Sequence, residues 1–252
     1  MIKVLLNGCN GKMGQVITNI IKNSPDLKIV CGFDINTVAK NDYPVMASLF
    51  EYSGDADVLI DFSHPSSLES ILEYCVEQNI PAVISTTGLS SEQTNKIKNA
   101  AEKIPVFFSA NMSLGVNLLI DLVKRAAKLL EGSFDIEIIE KHHNQKIDAP
   151  SGTALAIADA LSESLSKPYE YVFDRHSARR KRKETEIGIH AMRGGTIVGE
   201  HSVIFAGQDE VIEIKHQALS KEIFAVGSVR AAKYLIGKKP GLYTMKDLVS
   251  SI

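Results

Sequence analysis

The 252-residue chain lacks several features that would assign it to a non-enzymatic class. Its 28 Lys and Arg nearly balance its 30 Asp and Glu, and a net charge of −2 provides no bulk field for a nucleic-acid or membrane partner. Its longest apolar stretches fall far short of the ~20 residues that a membrane-spanning helix needs. We find no internal repeat, no low-complexity tract and no cleavable signal pattern before the first strand.

Cysteine is also scarce. Cys9, Cys31 and Cys75 are odd in number and widely spaced, and no C-x-x-C motif is present. This pattern favours neither a disulfide framework nor a zinc site. We therefore expect reduced thiols in a cytoplasmic protein, and no metal site.

A glycine-rich segment near the N-terminus lies between a predicted strand, Ile2–Leu6, and a predicted helix, Gln15–Asn23. Its glycines form G-x-x-G-x-x-G, which allows a tight turn, close approach to a pyrophosphate and close packing of helix on strand. A second predicted strand, Leu27–Phe33, ends in Asp34, at the spacing expected of a ribose-binding acid. We predict a dinucleotide site; the alternative is an ordinary strand-turn-helix of a flavodoxin-like protein. The residues expected to contact the cofactor here are Gly8, Cys9, Asn10, Gly11, Lys12, Met13 and Asp34.

Strand and helix patterns alternate through the first half of the chain, with strands at 56–62, 82–85 and 106–109 and helices at 66–78 and 91–103. Such alternation predicts a Rossmann-like, doubly wound parallel sheet with its ligand at the carboxyl ends of the strands. The loops after these strands are expected to line the cofactor crevice, although simple turn chemistry would also explain their polar residues. The residues predicted there are Ser85, Thr86, Thr87, Ser109, Ala110, Asn111 and Met112.

The pattern changes after Asn111. Helices are predicted at 116–130 and 154–165, and strands at 134–140, 186–193, 195–206 and 210–217, before a last helix at 223–235. Strands joined by short turns indicate an α+β domain with a mixed sheet. The predicted fold is thus α/β, with a dinucleotide-binding domain (1–112 and 219–252) and a substrate-binding and oligomerisation domain (113–218).

The segment 140–154, EKHHNQKIDAPSGTA, combines acid–base groups with an anion-binding helix start. His142 and Lys146 are four residues apart, and Ser151 is a good N-cap for the helix that follows. The N–H groups and dipole at such a helix start attract carboxylate or phosphate. Each piece alone is also typical of a surface loop, a satisfied polar pair or a plain cap. Together they predict chemistry on a small acidic molecule.

A basic run spans 175–183, RHSARRKRK. It lacks the aromatic partners or recognisable module of a nucleic-acid site. We interpret it as a solvated loop, with a contribution to the positive potential around an anionic substrate as the alternative.

These motifs resemble the 4-hydroxy-tetrahydrodipicolinate reductase (dihydrodipicolinate reductase) family of diaminopimelate and lysine biosynthesis. The resemblance covers nearly the whole chain, and the block from Glu140 to Ala154 is its most specific part. Its other elements are Gly8-x-x-Gly-x-Met-Gly14, Thr86-Thr87-Gly88, Ala110-Asn111-x-Ser-x-Gly-Val116, Arg193-x-Gly, Gly199-Glu-His201 and Val229-Arg-Ala231.

The resemblance implies reduction of a cyclic dicarboxylic imine to tetrahydrodipicolinate by a nicotinamide cofactor. It implies that His142 and Lys146 are the catalytic acid–base residues, and that the substrate carboxylates bind His143, Ser151, Gly152 and Thr153. It also suggests a homotetramer assembled through the sheet of the second domain. Two rival classes remain open, another nicotinamide-dependent reductase and a non-catalytic dinucleotide sensor, although the sensor would not need both His142 and Lys146.

The cofactor region departs from some relatives, since Ile35 rather than arginine follows Asp34 and Ser85 stands where glycine is common. A carboxylate hydrogen-bonds a ribose 2′-hydroxyl but repels a 2′-phosphate. We therefore predict that NADH is preferred, and that NADPH is usable if Lys12 or Lys40 reaches the phosphate.

Overall fold

The chain, described over residues 1–251 by a computed structural model, forms two compact units. The first unit comprises Met1–Leu114 and Glu222–Ile252, and the second comprises Gly115–Lys221. The predicted boundaries, after residues 112 and 218, lie within a few residues of these. No helix among residues 1–251 is long and apolar enough to cross a bilayer.

The first part of the first unit alternates strands and helices. In chain order its elements are β1 (Ile2–Asn7), α1 (Lys12–Lys22), β2 (Leu27–Phe33), β3 (Val45–Met46), β4 (Val58–Asp61), α2 (Leu68–Glu77), β5 (Ala82–Ile84), α3 (Ser91–Ala101) and β6 (Pro105–Phe108). Single 3₁₀ turns occur at Leu49–Glu51 and Pro65–Ser67.

The second unit follows, and the chain then returns to the first. The elements are α4 (Leu114–Leu130), β7 (Asp135–His142), α5 (Gly152–Ser164), β8 (Glu170–Val172), β9 (Glu186–Arg193), β10 (Gly199–Ala206) and β11 (Val211–Ala218). The returning segment forms α6 (Glu222–Leu235), β12 (Gly241–Tyr243) and α7 (Met245–Ser250).

The sheet of the first unit has seven parallel strands in the order β12-β6-β5-β4-β1-β2-β3. Its strands are predominantly apolar, as expected of a parallel sheet covered on both faces. The α1 and α6 side of the core contains Leu6, Ile17 and Ala232, and the α2 and α3 side contains Leu59, Ile71 and Ile97. The strand order reverses between β1 and β4, and this reversal opens a ligand crevice at the strand carboxyl ends. The predicted Rossmann-like fold is confirmed.

The second unit has a five-stranded mixed sheet in the order β11-β10-β7-β9-β8. Strand β10 is antiparallel to both β7 and β11, whereas β7, β9 and β8 are parallel. Helices α4 and α5 pack on one face through residues such as Val123, Ile157 and Leu161. The mixed sheet is also confirmed.

Four element boundaries differ from the prediction in ways that affect the site. Helices α1 and α5 begin at Lys12 and Gly152 rather than at Gln15 and Ala154. Strand β7 extends to His142 rather than ending at Glu140, which places the histidine on the sheet. Strand β10 begins at Gly199 rather than Gly195, because Gly195 has a positive φ of 49° in the turn before it. The short elements β3, β8, β12 and α7 were not predicted.

Candidate functional site

The glycine loop of the first unit is shaped by contacts that leave no room for side chains. Gly8 has a φ of 77°, and a Cβ there would overlap the carbonyl oxygen of Phe62. A Cβ on Gly14 would overlap the carbonyl oxygens of Gly8 and Cys9. Helix α1 starts from Gly11 without a side-chain cap and has no acidic residue in its first turn. Its positive end is therefore suited to a pyrophosphate, and Lys12 and Met13 lie in that first turn.

Asp34 lies directly beside this loop. Its carboxylate accepts hydrogen bonds from the backbone N–H of Asn10 (3.0 Å) and of Asn36 (3.0 Å). The Asn10 amide donates to the carbonyls of Asn36 (2.5 Å) and Val38 (2.9 Å), which holds segment 36–40 against the glycine loop. The buried Oδ1 of Asn10 has no hydrogen-bond partner within residues 1–251. An unsatisfied buried acceptor, an uncapped helix start and a nearby carboxylate together fit a dinucleotide.

Cys9 was expected to contact the cofactor, but its thiol is fully buried in the core. Burial raises the pKa of this thiol to about 11, so that it remains protonated and unreactive. Only its backbone faces the loop, and there its carbonyl accepts from the Gln15 side chain at 2.8 Å. All three cysteines are free and buried.

The loop after β5 is anchored by a buried carboxylate that the sequence reasoning missed. Asp61, at the end of β4, accepts from Asn7 (2.9 Å), Ser63 (2.5 Å) and Thr86 (2.6 Å). Ser85 instead exchanges a 3.0 Å hydrogen bond with Ser228 of α6. The hydroxyls of Ser85 and Thr86 are thus used to fix the loop, while Thr87 is exposed.

The loop after β6 is built around its own backbone. Ser109 donates to the carbonyl of Asn111 at 3.0 Å, and the Ser113 N–H donates to the Asn111 side chain at 2.9 Å. Met112 is buried, and its carbonyl lies so close to Gly227 of α6 that a Cβ on Gly227 would overlap it. Ala110 is exposed at the tip of this loop.

In the second unit, His142 lies at the end of β7 and is nearly buried. Its Nδ1 is 2.7 Å from Oε2 of Glu140, two residues earlier on the same face of the strand. Parallel pairing of β7 with β9 puts His142 opposite Arg193, whose guanidinium binds Glu140 through two 2.8 Å hydrogen bonds. Burial by itself raises the pKa of Glu140, but the hydrogen bonds from Arg193, His142 and the Ser151 backbone bring it below its ordinary value.

Ser151 caps α5 and joins this cluster. Its Oγ accepts from the Ala154 N–H at 3.2 Å and is 3.1 Å from Nε2 of His201, while its own N–H donates to Glu140 at 2.9 Å. His201 is opposite Glu140 across the β7–β10 pair, and its ring meets that of His142 edge-on at 5.2 Å. Burial, with the nearby His142, lowers the pKa of His201 to about 4, so that it is neutral near neutral pH.

The other predicted site residues lie on the turn between β7 and α5 and at the start of α5. Lys146 forms a 2.8 Å ion pair with Asp148, and its charge also contributes to the lowered pKa of His201. His143 and Thr153 are partly exposed, and Gly152 is exposed with open space where a Cβ would be. The first turn of α5 has no acidic residue. The structure therefore gathers His142, Ser151 and His201 in one hydrogen-bonded cluster, with Lys146 close enough to act on it electrostatically.

Sequence reasoning assigned no role to Glu140, Arg193 or His201, although all three belong to the motifs that carried the family resemblance. Their role depends on strand register across 50 residues or more, which a single sequence does not reveal. Among residues 1–251, no group of three or more His, Cys, Asp or Glu is arranged to hold a metal ion.

The basic run is exposed but is not simply solvated. Arg175 and Arg180 pair with the buried Glu186, Arg182 pairs with Asp135 (2.7 Å) and Glu137 (3.2 Å), and Lys183 pairs with Glu170 (2.9 Å). Much of its charge is therefore neutralised by acids of the second unit's own sheet.

Comparisons with known proteins agree along the full chain. Residues 2–112 match the family description "Dihydrodipicolinate reductase, N-terminus", and residues 115–249 match "Dihydrodipicolinate reductase, C-terminus". A 4-hydroxy-tetrahydrodipicolinate reductase of Caldanaerobacter subterraneus subsp. tengcongensis is 55% identical over 99% of this chain and 98% of its own length. A 4-hydroxy-tetrahydrodipicolinate reductase of Clostridium tetani is 49% identical over 100% of this chain and 98% of its own length.

A solved structure is also similar. The dipicolinate-bound dihydrodipicolinate reductase from Paenisporosarcina sp. TG-14 is 25% identical to this chain, with a TM-score of 0.82. The match covers 100% of both chains. The resemblance inferred from the motifs is confirmed. The chain belongs to the dihydrodipicolinate reductase family, and it is an oxidoreductase that uses a nicotinamide cofactor.

Proposed function

We propose that this chain reduces 4-hydroxy-tetrahydrodipicolinate to tetrahydrodipicolinate with loss of water, with His142 and Lys146 as its acid–base residues. The observation that carries the proposal is the cluster at one end of the second unit's sheet. There His142 and the N-terminus of α5 are joined through Glu140, so that a proton-carrying group and an anion-binding helix start are held together.

The substrate is a dicarboxylate, and the start of α5 can bind one carboxylate without a metal. Ser151 caps the helix through its hydroxyl, leaving the exposed Gly152 and the neighbouring Thr153 to present the first helical turn. His143 and the Lys146 ammonium add positive or donor groups beside it. The Paenisporosarcina relative has dipicolinate bound, which is a dicarboxylate of the same ring size.

Proton delivery is the step that the protein must supply. The bound nicotinamide cofactor supplies the hydride. Hydride addition to the C=C–C=N unit of the dehydrated substrate leaves an electron pair on the ring, which takes up one proton. The His142 imidazole, held by Glu140, can act as the general acid that delivers this proton. Lys146 offsets the substrate charge and can return a proton to the imidazole.

We also propose that NADH is preferred and NADPH is accepted. Asp34 presents a carboxylate beside the glycine loop, which suits a ribose 2′-hydroxyl. Lys40 lies with its Nζ 3.3 Å from the Asn10 carbonyl, at the same loop, and could offset part of the repulsion of a 2′-phosphate. The residues proposed to hold the cofactor remain Gly8–Met13, Asp34, Ser85–Thr87 and Ser109–Met112, with Cys9 contributing through its backbone.

The proposed assembly is a homotetramer formed through the second unit's sheet, in the cytoplasm. Strand β11 is at the sheet edge and exposes Val211 and Ile212, which are 65% and 37% accessible. Exposed apolar residues on an unpaired edge are a hazard unless a partner covers them. Sedimentation equilibrium should give four times the chain mass, and Val211→Lys should lower it.

Steady-state assays test the proposed reaction. The wild type should oxidise NADH only when substrate from the preceding synthase is freshly supplied. His142→Gln should lower kcat by about 10²-fold or more, as expected for loss of a general acid. Lys146→Ala should lower kcat and also raise KM. Glu137→Gln, on the same strand but outside the cluster, is the control. Absence of substrate-dependent oxidation by the folded wild type would refute the proposal.

A further inference from the structure

We infer that Glu140 is a positioning residue for this reaction: its carboxylate holds the Nδ1–H of His142, so that Nε2 is the atom that delivers the proton, and the same carboxylate fixes the start of α5. The inference rests on the proposed function of His142 and extends it to a residue and an atom.

The hydrogen bonds around Glu140 leave a single arrangement of protons. Oε1 accepts from Arg193 Nη2 (2.8 Å) and from the Ser151 N–H (2.9 Å), and Oε2 accepts from Arg193 Nη1 (2.8 Å). The fourth contact of this fully buried carboxylate is Nδ1 of His142 at 2.7 Å. An ionised carboxylate is an acceptor only, so Nδ1 must carry the hydrogen. In the neutral ring, Nε2 is then the basic nitrogen.

Gly199 lies beside Nε2 of the His142 ring. A Cβ at this position would be only 3.1 Å from Nε2 and would crowd it, so the lack of a side chain on Gly199 leaves room at Nε2. The charged and titratable groups around the ring are Glu140, Arg193, His201 and Lys146. Of these, His201 has a pKa of about 4, because it is buried beside His142, and so does not compete as an acid near neutral pH. The negative charge of Glu140 stabilises the imidazolium that forms when Nε2 is protonated.

One carboxylate therefore orients the proton donor and also the helix start that binds substrate. In metal sites, removal of a carboxylate that orients a histidine typically lowers activity about 10–100-fold. We expect a loss of kcat in the same range when Glu140 is replaced. Loss of Glu140 should lower kcat through His142 and weaken dicarboxylate binding through Ser151. If Glu140 had a merely structural role, its replacement would lower the stability of the protein without changing the tautomer of His142 or the pH profile of kcat.

The experiment combines imidazole NMR with kinetics on the full chain. Long-range ¹H–¹⁵N spectra of wild type should show the neutral His142 ring with its hydrogen on Nδ1 and none on Nε2. The chain has seven histidines, and the His142 signal is the one that disappears from the spectrum of His142→Gln. In Glu140→Gln we expect a mixed or reversed tautomer. We also expect kcat to be lowered about 10–100-fold, weaker binding of dipicolinate, and a pH profile of kcat that differs from that of the wild type.

Glu137→Gln is the matched control, because Glu137 is on the same strand and is also bound by arginine and histidine. It should leave the His142 signal and the pH profile unchanged. An Nε2–H tautomer in wild type would overturn the inference, as would wild-type kcat and pH profile in folded Glu140→Gln. The wild-type spectrum decides the tautomer even if that variant does not fold. The spectra and dipicolinate titrations need no turnover, so that failure of the proposed reaction would be recognised separately.

Discussion

Asp34 and Asp61 are carboxylates at the same edge of one sheet, and their surroundings give them different roles. Asp34 follows β2 and accepts two backbone N–H groups while remaining partly exposed. Asp61 ends β4, is 1% exposed and is surrounded by side-chain donors. Burial raises its pKa, although hydrogen bonds from Ser63 and Thr86 oppose the effect. Asp34 is therefore suited to a ligand, and Asp61 to holding loops.

Replacing the ligand-facing carboxylate should change cofactor choice. In Asp34→Asn the charge that opposes a 2′-phosphate is removed while the size is kept. We expect the ratio of kcat/KM for NADPH over NADH to rise roughly tenfold, equivalent to about 1.4 kcal/mol. Steady-state kinetics with both cofactors measure this, and Asp42→Asn, an exposed acid in the following segment, is the control. An unchanged ratio, or a strong NADPH preference in wild type, would refute the role assigned to Asp34.

At the scale of elements, the glycine loop and α1 form one unit of backbone packing. Gly14 lies in the first turn of α1, where a side chain would overlap two backbone carbonyls that cannot move aside. Gly11 differs, because its φ is −71° and a Cβ would be 3.3 Å from the Gly8 carbonyl oxygen. The three glycines of the motif are therefore not equivalent.

Gly14→Ala should displace the loop and weaken NADH binding at least tenfold, because helix and loop would have to separate. Gly11→Ala is the matched variant: the neighbouring carbonyl needs to shift only a few tenths of an ångström, so this substitution should lower thermal stability less than Gly14→Ala does. Fluorescence titration with NADH and thermal unfolding distinguish the two. Equal effects of both substitutions would contradict this account of the loop.

The basic segment is an element held by ion pairs rather than by secondary structure. Arg182 is 17% exposed, and it binds Asp135, Glu137 and the carbonyls of Ile136 and Glu186. Arg182→Met should reduce the free energy of unfolding by about 2 kcal/mol, less than the ~3–5 kcal/mol of a fully buried pair because Asp135 is half exposed. The exposed Arg179→Met should change it little. Urea unfolding of both variants measures the difference, and equal stabilities would show that the segment is merely solvated.

The sequence predicts an element reliably only when its apolar or capping pattern extends over several residues. The longer strands of the first unit and the helix after Ser151 were predicted because apolar runs and caps extend over a full element. Val45–Met46 and Glu170–Val172 were missed, since two or three residues show no period. Glu140 was not assigned to the site because its partners Arg193 and His201 reach it only through the β7 register with β9 and β10. The Arg182 contacts were missed for the same reason.

At the scale of the whole molecule, the two units carry different buried charges. In the second unit, Glu140 and Glu186 are fully buried, and arginine hydrogen bonds lower their pKa values although burial alone would raise them. The His201 pKa is lowered to about 4 by burial. In the first unit, Asp61 has a pKa raised by burial.

Acid should therefore destabilise the second unit before the first. As pH falls below about 6.5, the unfolded chain protonates His201 while the folded chain does not. Below about pH 4.5 the unfolded state also takes up protons on Glu140 and Glu186. The stability that these two carboxylates contribute is lost as the pH falls through their folded-state pKa values, which are lower. Asp61 has the opposite effect on the free energy of unfolding as pH falls, because the folded state binds its proton more tightly than the unfolded state does.

Hydrogen exchange followed by peptide mass spectrometry, corrected for intrinsic rates, checks this between pH 7 and pH 4. Peptides of β7 and β10 should lose protection at higher pH than those of β1 and β4. The reverse order would contradict the assignment of these charges.

The most direct test of the central claim, reduction by hydride with a proton from the protein, is isotope incorporation into product. The wild type is given NADH deuterated at the transferred position in ordinary water, and separately unlabelled NADH in D₂O, each with fresh 4-hydroxy-tetrahydrodipicolinate. We predict one cofactor-derived deuterium in the tetrahydrodipicolinate ring in the first experiment and a solvent-derived deuterium on the adjacent ring carbon in the second. Both labelled products should form about 10²-fold or more slowly in His142→Gln. A product without the cofactor deuterium, or an undiminished rate of labelled-product formation in His142→Gln, would contradict the account.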